Sequence, residues 1–371
     1  GSIGLTFGGA GNITVNGIIG NGSGTVTKDG AGTLTLAADN TYTGLTTVSD
    51  GILAINHANA LGTTAGATSV ASGATLSISN GINVPEPITI SGTGDSSIGA
   101  IRFTGGANTY SGAIILGANA TISSIGSGGT TFSGTINATS SGAQSLTIST
   151  STDDLTISGV IGGTTRPSTI DISATGVAKT LSIDQDLSST GNQTLTAAGG
   201  ITISGARTFT STSGTINTVS ALSGNSSFDI SGNADIDGAI TGITTFSVSG
   251  TSDIGNNITT SSTQQYDGVT TLSTNVTLTT TNSNVTFNDK VISDSATNRN
   301  LTIDTNGNTG TVVFGNGTTD TVGVTSGYDL GVIGITGNLD LNAAIGNGGT
   351  AGATSISVSG TSNLGANVTT S

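Results

Sequence analysis

Three residue types are missing from this chain of 371 residues, which has no cysteine, no methionine and no tryptophan. The absence of cysteine excludes disulfides as a source of stability, and it is typical of proteins that cross bacterial envelopes unfolded. Aromatic residues make up only 3% of the chain, too few for a thick core packed around large rings. This composition leaves room for a core of stacked small and branched side chains.

Basic residues are scarce as well, because seven Lys and Arg stand against 21 Asp and Glu, for a formal net charge of −14. Seven scattered cations cannot neutralise a phosphate track, which excludes nucleic acid as a partner and disfavours anionic membrane surfaces. No apolar run approaches the ~20 residues that a membrane-spanning helix needs, so we predict no membrane insertion by this segment. The chain starts without methionine, and we interpret it as an excised piece of a longer protein.

The chain is rich in short runs in which Ile, Leu, Val or Ala alternate with Thr or Ser, such as "GTLTLAA" (32–38) and "GITISG" (200–205). Strict alternation of this kind predicts β-strands with one apolar and one polar face. Each run is bounded by Gly, Asn, Asp or Ser, which tolerate the left-handed conformations of sharp turns. No helical periodicity competes with the alternation, so the predicted fold class is all-β.

Longer segments of the sequence recur. The stretch "NTYTGLTTV" (40–48) contains a Tyr-x-Gly pattern that returns twice, so Tyr42, Tyr110 and Tyr266 are predicted to occupy equivalent corners of the fold. The recurring segments are a repeat at 30–62 and two related pairs, 108–148 with 264–303 and 230–261 with 335–371. Strand-turn units that cannot bury an apolar face alone must stack on their neighbours.

Stacked units of this kind predict a right-handed parallel β-helix, or β-solenoid, built from coils of about 20 residues. Its apolar side chains point inward, and its Thr and Ser side chains point outward. Residues 1–371 are expected to form a single continuous segment of this solenoid. Ladders of like residues, including asparagines at the turns, are expected to hold neighbouring coils together.

The segment "GAGTLTLAADNTYTGLTTVSDGILAINHANALG" (30–62) resembles the autotransporter-associated β-strand repeat of bacterial passenger domains. Its Gly-Thr-Leu-Thr-Leu strand, its Asn-Thr-Tyr-x-Gly turn and its closing Ala-Leu-Gly all match that repeat. The segments 108–148 and 264–303 resemble the looser repeats of filamentous-haemagglutinin-type adhesins. The resemblance implies an extracellular β-helical shaft at the bacterial cell surface, and it carries no catalytic residues over to this chain.

Few residues offer chemistry. His57 is the only histidine, and we interpret it as a solvated turn residue because one histidine without clustered ligands does not make a metal site. In polysaccharide lyases with β-helix folds, an acid cluster binds calcium beside a basic residue. The corresponding candidates here are Asp153, Asp154, Asp184 and Asp186, with Arg166 and Lys179 as the nearest basic residues. We predict no catalytic, cofactor-binding or metal-binding residues, and calcium at acidic turns is the one ion considered.

The predicted function is that of a non-catalytic stalk or adhesin segment in a bacterial cell-surface or exported fibre. Its expected partner is a surface receptor, a glycan or another copy of itself. Two alternatives stay open at this point. The low charge favours a self-assembling envelope component, such as a filament, sheath or surface layer. A glycan-active enzyme on the same fold would need carboxylates and a basic residue clustered on one face.

Overall fold

The computed structural model describes residues 2–294, 298–307, 309–317, 320–323, 328–346 and 352–370. The chain divides into two compact units, unit 1 (Gly1–Gly200) and unit 2 (Ile201–Ser371). Both units consist of short strands joined by turns, and the one helical segment among the described residues is a single 3-10 turn at Asp95–Ser97. The predicted all-β fold class is therefore confirmed.

Most strands of unit 1 are three to five residues long, and their inward positions are buried. They are β1 (Leu5–Phe7), β2 (Ile13–Val15), β3 (Val26–Lys28), β4 (Thr33–Leu36), β5 (Thr46–Val48), β6 (Ile52–Ile55), β7 (Thr68–Val70), β8 (Thr75–Ile78), β9 (Asn83–Val84), β10 (Ile88–Gly92), β11 (Ile101–Phe103), β12 (Asn108–Tyr110), β13 (Ile114–Ser124), β14 (Thr130–Phe132), β15 (Ile136–Ala138), β16 (Leu146–Thr150), β17 (Leu155–Ile157), β18 (Ile170–Ala174), β19 (Leu181–Ile183), β20 (Leu187–Ser189) and β21 (Gln193–Ala197).

The strands of unit 2 follow the same pattern. They are β22 (Ile201–Ile203), β23 (Arg207–Thr218), β24 (Leu222–Gly224), β25 (Phe228–Ile236), β26 (Ile240–Ile243), β27 (Phe246–Val248), β28 (Ser252–Ile254), β29 (Ile258–Thr260), β30 (Gln264–Tyr266), β31 (Thr270–Leu272), β32 (Val276–Thr279), β33 (Val285–Phe287), β34 (Val291–Ser293), β35 (Arg299–Asp304), β36 (Thr311–Phe314), β37 (Thr321–Val322), β38 (Leu330–Thr336), β39 (Asn338–Leu341), β40 (Ala344–Ile345), β41 (Ser355–Val358) and β42 (Ser362–Leu364).

Each coil of unit 1 has up to three sides, and strands of neighbouring coils pair in parallel along each side. On the first side β1, β3, β5, β7, β10, β13 and β15 pair in succession. On the second side the order is β2, β4, β6, β8, β11, β13, β16, β18 and β21. On the third side it is β9, β12, β14, β17 and β19.

Unit 2 has the same three-sided arrangement. Its first side contains β23, β25, β27, β30, β33, β36, β39 and β42. Its second side contains β23, β25, β28, β31, β34, β37 and β40. Its third side contains β22, β24, β26, β29, β32, β35, β38 and β41. The parallel pairing and a coil length of about 22 residues confirm the predicted β-solenoid.

A column of branched side chains fills the second side of unit 1. Leu53, Leu76, Ile101, Ile122 and Ile148 follow one another in the strand registers, and each is at most 1% exposed. Parallel pairing places equivalent side chains about 4.8 Å apart along such a column, close enough for van der Waals contact from coil to coil. This column agrees with the predicted core of stacked branched residues.

Unit 2 departs from that prediction, because its core contains a stack of aromatic rings. Successive ring centroids are 4.9, 5.7, 6.0, 5.1 and 5.2 Å apart in the order Phe209, Phe228, Phe246, Tyr266, Phe287 and Phe314. Every ring of the stack is at most 1% exposed. The expectation that aromatic residues are too few for a core packed around large rings is wrong for this unit, since a low overall aromatic content can still supply about one ring per coil.

The Tyr-x-Gly tyrosines are fully buried. Tyr42 and Tyr110 each lie four residues before a first-side strand of unit 1, β5 or β13, and both phenols face Glu86. Tyr266 instead ends β30 on the first side of unit 2. The predicted equivalence therefore agrees with the places of Tyr42 and Tyr110 and is wrong for Tyr266. Ile230 and Ile335 also match in sequence, yet they lie on the first and third sides of unit 2.

The strand-turn units of the repeats can thus occupy different sides of a coil, because every side demands the same alternation of buried and exposed residues. The extension of one continuous solenoid over residues 1–371 stays a prediction.

Candidate functional site

Asp153 is buried inside unit 1, with only 1% of its surface exposed, and its carboxylate makes structural hydrogen bonds. Its carboxylate accepts hydrogen bonds from the hydroxyls of Ser124 and Thr130, both at 3.0 Å. It also accepts the backbone N–H groups of Gly128 and Gly129, at 3.2 and 2.5 Å. Both carboxylate oxygens are thereby engaged in tying one coil to the next.

Asp154 is exposed, so the adjacent acid pair is split between the interior and the surface. The carboxylate of Asp154 accepts the backbone N–H of Thr180 at 2.8 Å and the Thr180 hydroxyl at 3.0 Å. The backbone hydrogen bond, the hydroxyl and the nearby positive charge of Lys179 lower the pKa of Asp154 and outweigh the effect of its burial. This carboxylate is held in its charged form as a link between β17 and β19.

Two further candidates, Asp184 and Arg166, lie in other parts of their coils than Asp154. Asp184 follows β19, at the opposite end of the third side from Asp154, and accepts hydrogen bonds from Ser158 at 3.0 Å and Ser182 at 3.3 Å. Arg166 lies in the loop between β17 and β18. No group of three or more His, Cys, Asp or Glu side chains in the described part of the chain could hold a metal ion.

His57 belongs to the turn that follows β6 and is half-buried there. Its Nδ1 accepts a hydrogen bond from the N–H of Asn59 at 3.3 Å, and its carbonyl accepts the N–H of Ala60 at 3.1 Å. The side chain of Asn59 donates to Asp39 of the preceding coil at 2.9 Å. The position of His57 agrees with the predicted turn residue.

Glu86, the single glutamate of the chain, is a residue that the sequence reasoning missed. It is 2% exposed, and its Oε1 has no hydrogen-bond partner. Burial raises the pKa of Glu86 to about 7. The phenol of Tyr110 donates to the backbone carbonyl of Glu86 at 2.8 Å rather than to the carboxyl group. The flanking residues Pro85 and Pro87, two of only three prolines, were the available sequence signal.

An acidic column lies on the outer face of the second side in unit 2. Asn217, Asp235, Asp253 and Thr271 follow one another in register, beside a groove of about 260 Å³. Burial raises the pKa of Asp235 to about 6, helped by the negative charges of Asp237 and Asp253. The amide of Asn217 donates to Asp235 at 2.9 Å, so one carboxylate of this column is hydrogen-bonded by a neighbour in the column.

A larger groove of about 600 Å³ lies in unit 1, at the corner between the first and second sides. We call it the corner groove. Its lining comes from four neighbouring coils and consists of Ser72, Gly92, Thr93, Gly117, Ala118, Asn119, Ala143 and Gln144. None of these side chains is charged.

Comparison with known proteins gives one match. Residues 26–55 match the passenger-associated-transport-repeat family. The repeat is characteristic of autotransporter passengers, which confirms the resemblance found at 30–62, and this repeat family implies an exported, cell-surface protein. No curated protein and no solved structure shows significant similarity to this chain. No helix in the described residues is long and apolar enough to cross a membrane.

The matched repeat covers β3 to β6, and its turn residues serve the stacking of coils. Asn40 accepts the N–H of Ile19 at 2.8 Å and donates to the carbonyl of Ala60 at 2.6 Å, so one buried amide links three coils. The hydroxyl of Tyr42 bonds that of Thr46 at 2.6 Å inside the coil. The Asn-Thr-Tyr-x-Gly motif is therefore part of the architecture of the passenger repeat.

Proposed function

We propose that this chain is a non-catalytic structural segment of an autotransporter passenger, forming part of a stalk that presents binding surfaces outside the bacterial cell. The proposal rests on the observation that the polar side chains of the repeat bond within and between coils. Asn40 and Tyr42 are buried and bonded between or within coils, which leaves neither of them available to a substrate.

The acidic residues support the same proposal. Asp153 and Asp154 are engaged by hydroxyls and backbone N–H groups, and Asp184 is engaged by two serines. A glycan-active enzyme needs two carboxyl groups, or a carboxylate and a base, facing one substrate position. The hydrogen bonds of these carboxylates favour a structural role over that arrangement.

The proposal is tested by displaying the chain on a bacterial surface between a secretion signal and a translocator barrel. We expect a folded passenger that added trypsin reaches but degrades slowly, since stacked coils protect their backbone. An Asn40→Leu variant removes the buried amide link and should be displayed in a protease-sensitive form. Retention of the wild-type chain inside the cell would contradict the proposal.

Two further measurements on the purified chain separate the alternatives. Light scattering distinguishes a monodisperse segment, which we expect, from the growing filaments of a self-assembling envelope component. Incubation with pectin-like and neutral polysaccharides is expected to release no sugar ends. Turnover that disappears in an Asp153→Asn/Asp154→Asn variant would identify an enzyme instead.

A further inference from the structure

The corner groove of unit 1 is built by the backbone. Its floor is the turn Gly117–Asn119, where β13 passes from the first side to the second without ending. Longer loops border this short turn on both sides, at 93–100 after β10 and at 139–145 after β15. The space between these borders is a shallow, open groove of about 600 Å³.

Two glycines keep the groove open. Gly92 has a φ of +80°, and a β-carbon at this position would lie 2.5 Å from the Ser72 hydroxyl. A β-carbon on Gly117 would lie 2.9 Å from the Ser91 hydroxyl. A side chain at either glycine would press on the coil beneath it, so the shape of the groove depends on these two positions.

Two amide side chains in the groove are held in fixed orientations. The Oδ1 of Asn119 accepts the N–H of Ser145 at 3.0 Å, and the Oε1 of Gln144 accepts the N–H of Ser140 at 3.2 Å. Neither NH₂ group donates to another residue in the described part of the chain. Each is therefore an oriented donor that is free for a ligand.

The chemistry of the lining selects the ligand class. The lining offers the two amide NH₂ groups and the hydroxyls of Ser72 and Thr93, and it contains no charged side chain. Such a surface pairs with a neutral ligand that carries many hydroxyl groups, since hydroxyls both accept from amides and exchange hydrogen bonds with other hydroxyls. We propose that the corner groove binds a neutral oligosaccharide. This proposal stands on the groove alone and does not depend on the stalk function.

A peptide fits the groove less well. Peptides bind solenoids and sheets most readily by adding a strand to a free edge. The first-side part of β13 is already paired on both flanks, with β10 and β15, so its backbone offers no free edge. The lining also has no aromatic or large aliphatic pocket to anchor a side chain. The same lack of an aromatic platform predicts weak sugar binding, with dissociation constants of about 1 mM.

The test uses the full chain and saturation-transfer NMR with defined probes. The neutral probes are hexamers of glucose, mannose and N-acetylglucosamine, and the acidic probes are a galacturonate hexamer and a heparin hexasaccharide. At least one neutral probe should bind, and the acidic probes should bind at least tenfold more weakly.

Two kinds of variant place the binding in the groove. Ala118→Trp fills the groove and should abolish binding, whereas Ala31→Trp puts the same ring on an exposed turn at the equivalent corner of an earlier coil and should not. Asn119→Asp keeps the acceptor for Ser145 and replaces only the NH₂ donor, so the affinity should fall about fivefold to tenfold. Asn275→Asp is the matched control, because the amide oxygen of Asn275 likewise accepts a backbone N–H.

Several results would overturn the proposal. These are failure of all the neutral probes to bind, preference for an acidic probe, or equal binding by the wild type and the Ala118→Trp variant. Binding lost in both tryptophan variants would mean that the ring perturbs the fold. The comparison of Asn119→Asp with Asn275→Asp then decides whether the ligand binds in the corner groove. None of these outcomes bears on surface display, so failure here is distinguishable from failure of the proposed stalk.

Discussion

Asparagine side chains connect neighbouring coils at many corners of this solenoid. In unit 2 the Oδ1 of Asn257 accepts the N–H of Thr277, that of Asn275 accepts the N–H of Asn300, and that of Asn300 accepts the N–H of Val332. These bonds of 2.8–2.9 Å satisfy N–H groups near the starts of β32, β35 and β38. The pair Asn275 and Asn300 places like residues in neighbouring coils and agrees with the asparagine ladder predicted at the turns.

The ladder predicts different effects for two substitutions at one position. Asn275→Ala leaves the N–H of Asn300 to water and should lower the free energy of unfolding by about 1 kcal/mol. Asn275→Asp keeps an acceptor oxygen in place, so its effect should stay within about 0.5 kcal/mol. Urea titrations followed by far-ultraviolet circular dichroism measure both, and equal losses would show that the hydrogen bond contributes nothing.

Glu86 makes the stability of unit 1 depend on pH. Its pKa of about 7 in the folded chain lies above the ordinary glutamate value, so folding takes up a proton between about pH 4.5 and 7. The stability contribution of this residue is complete below that window and is lost as the pH rises through it. The groups that face the carboxyl electrostatically are the neutral phenols of Tyr42 and Tyr110.

Glu86→Gln should therefore resemble the wild type at pH 4.5 and should be more stable at pH 8, by roughly 1–2 kcal/mol after allowing for screening by water. The measurement is the difference between the urea midpoints of variant and wild type at the two pH values. A constant difference for Glu86→Gln would refute this account.

At the scale of the strand, the sequence predicts well where strands exist and which of their residues alternate. It predicts poorly on which side of the coil each strand lies. The strands β4 and β22 could be predicted because apolar and polar residues alternate strictly in them. Turn residues bound each of these runs at both ends. The side of the coil that each strand occupies was not readable, since all three sides impose the same alternation. The corner groove was equally hidden, because it depends on the unequal lengths of turns that meet only after the coils have stacked.

The aromatic stack of unit 2 makes a prediction for one element. Phe287 in β33 lies between Tyr266 and Phe314, with ring centroids 5.1 and 5.2 Å away and planes 12° from parallel on both sides. Phe287→Ala should lower the free energy of unfolding by about 3–5 kcal/mol, the range for buried rings. Phe287→Leu keeps most of the volume and should cost about 1–2 kcal/mol. Urea unfolding, with near-ultraviolet circular dichroism as the ring signal, checks the order, and equal losses would argue against a packed stack.

At the scale of the whole solenoid, stability should depend on which residues a deletion removes more than on how many. Deleting 246–263 removes one coil of unit 2, because Phe246 and Gln264 are partners in neighbouring strands. Gln264 then pairs with Phe228 as it paired with Phe246, so all three sides and the ring stack continue across the junction.

Deleting 252–263 removes fewer residues but keeps β27, so each strand that follows moves one side around the coil. Tyr266 then leaves the column of Phe228 and Phe246, and the aromatic stack is broken at that point. In a solenoid, stability is approximately a sum of local terms and nearest-neighbour interfaces, so the first deletion should lower the urea midpoint slightly and the second substantially. Equal midpoints would mean that whole coils can rotate by one side at no cost, and that the position of a strand around the coil is set by its neighbours alone.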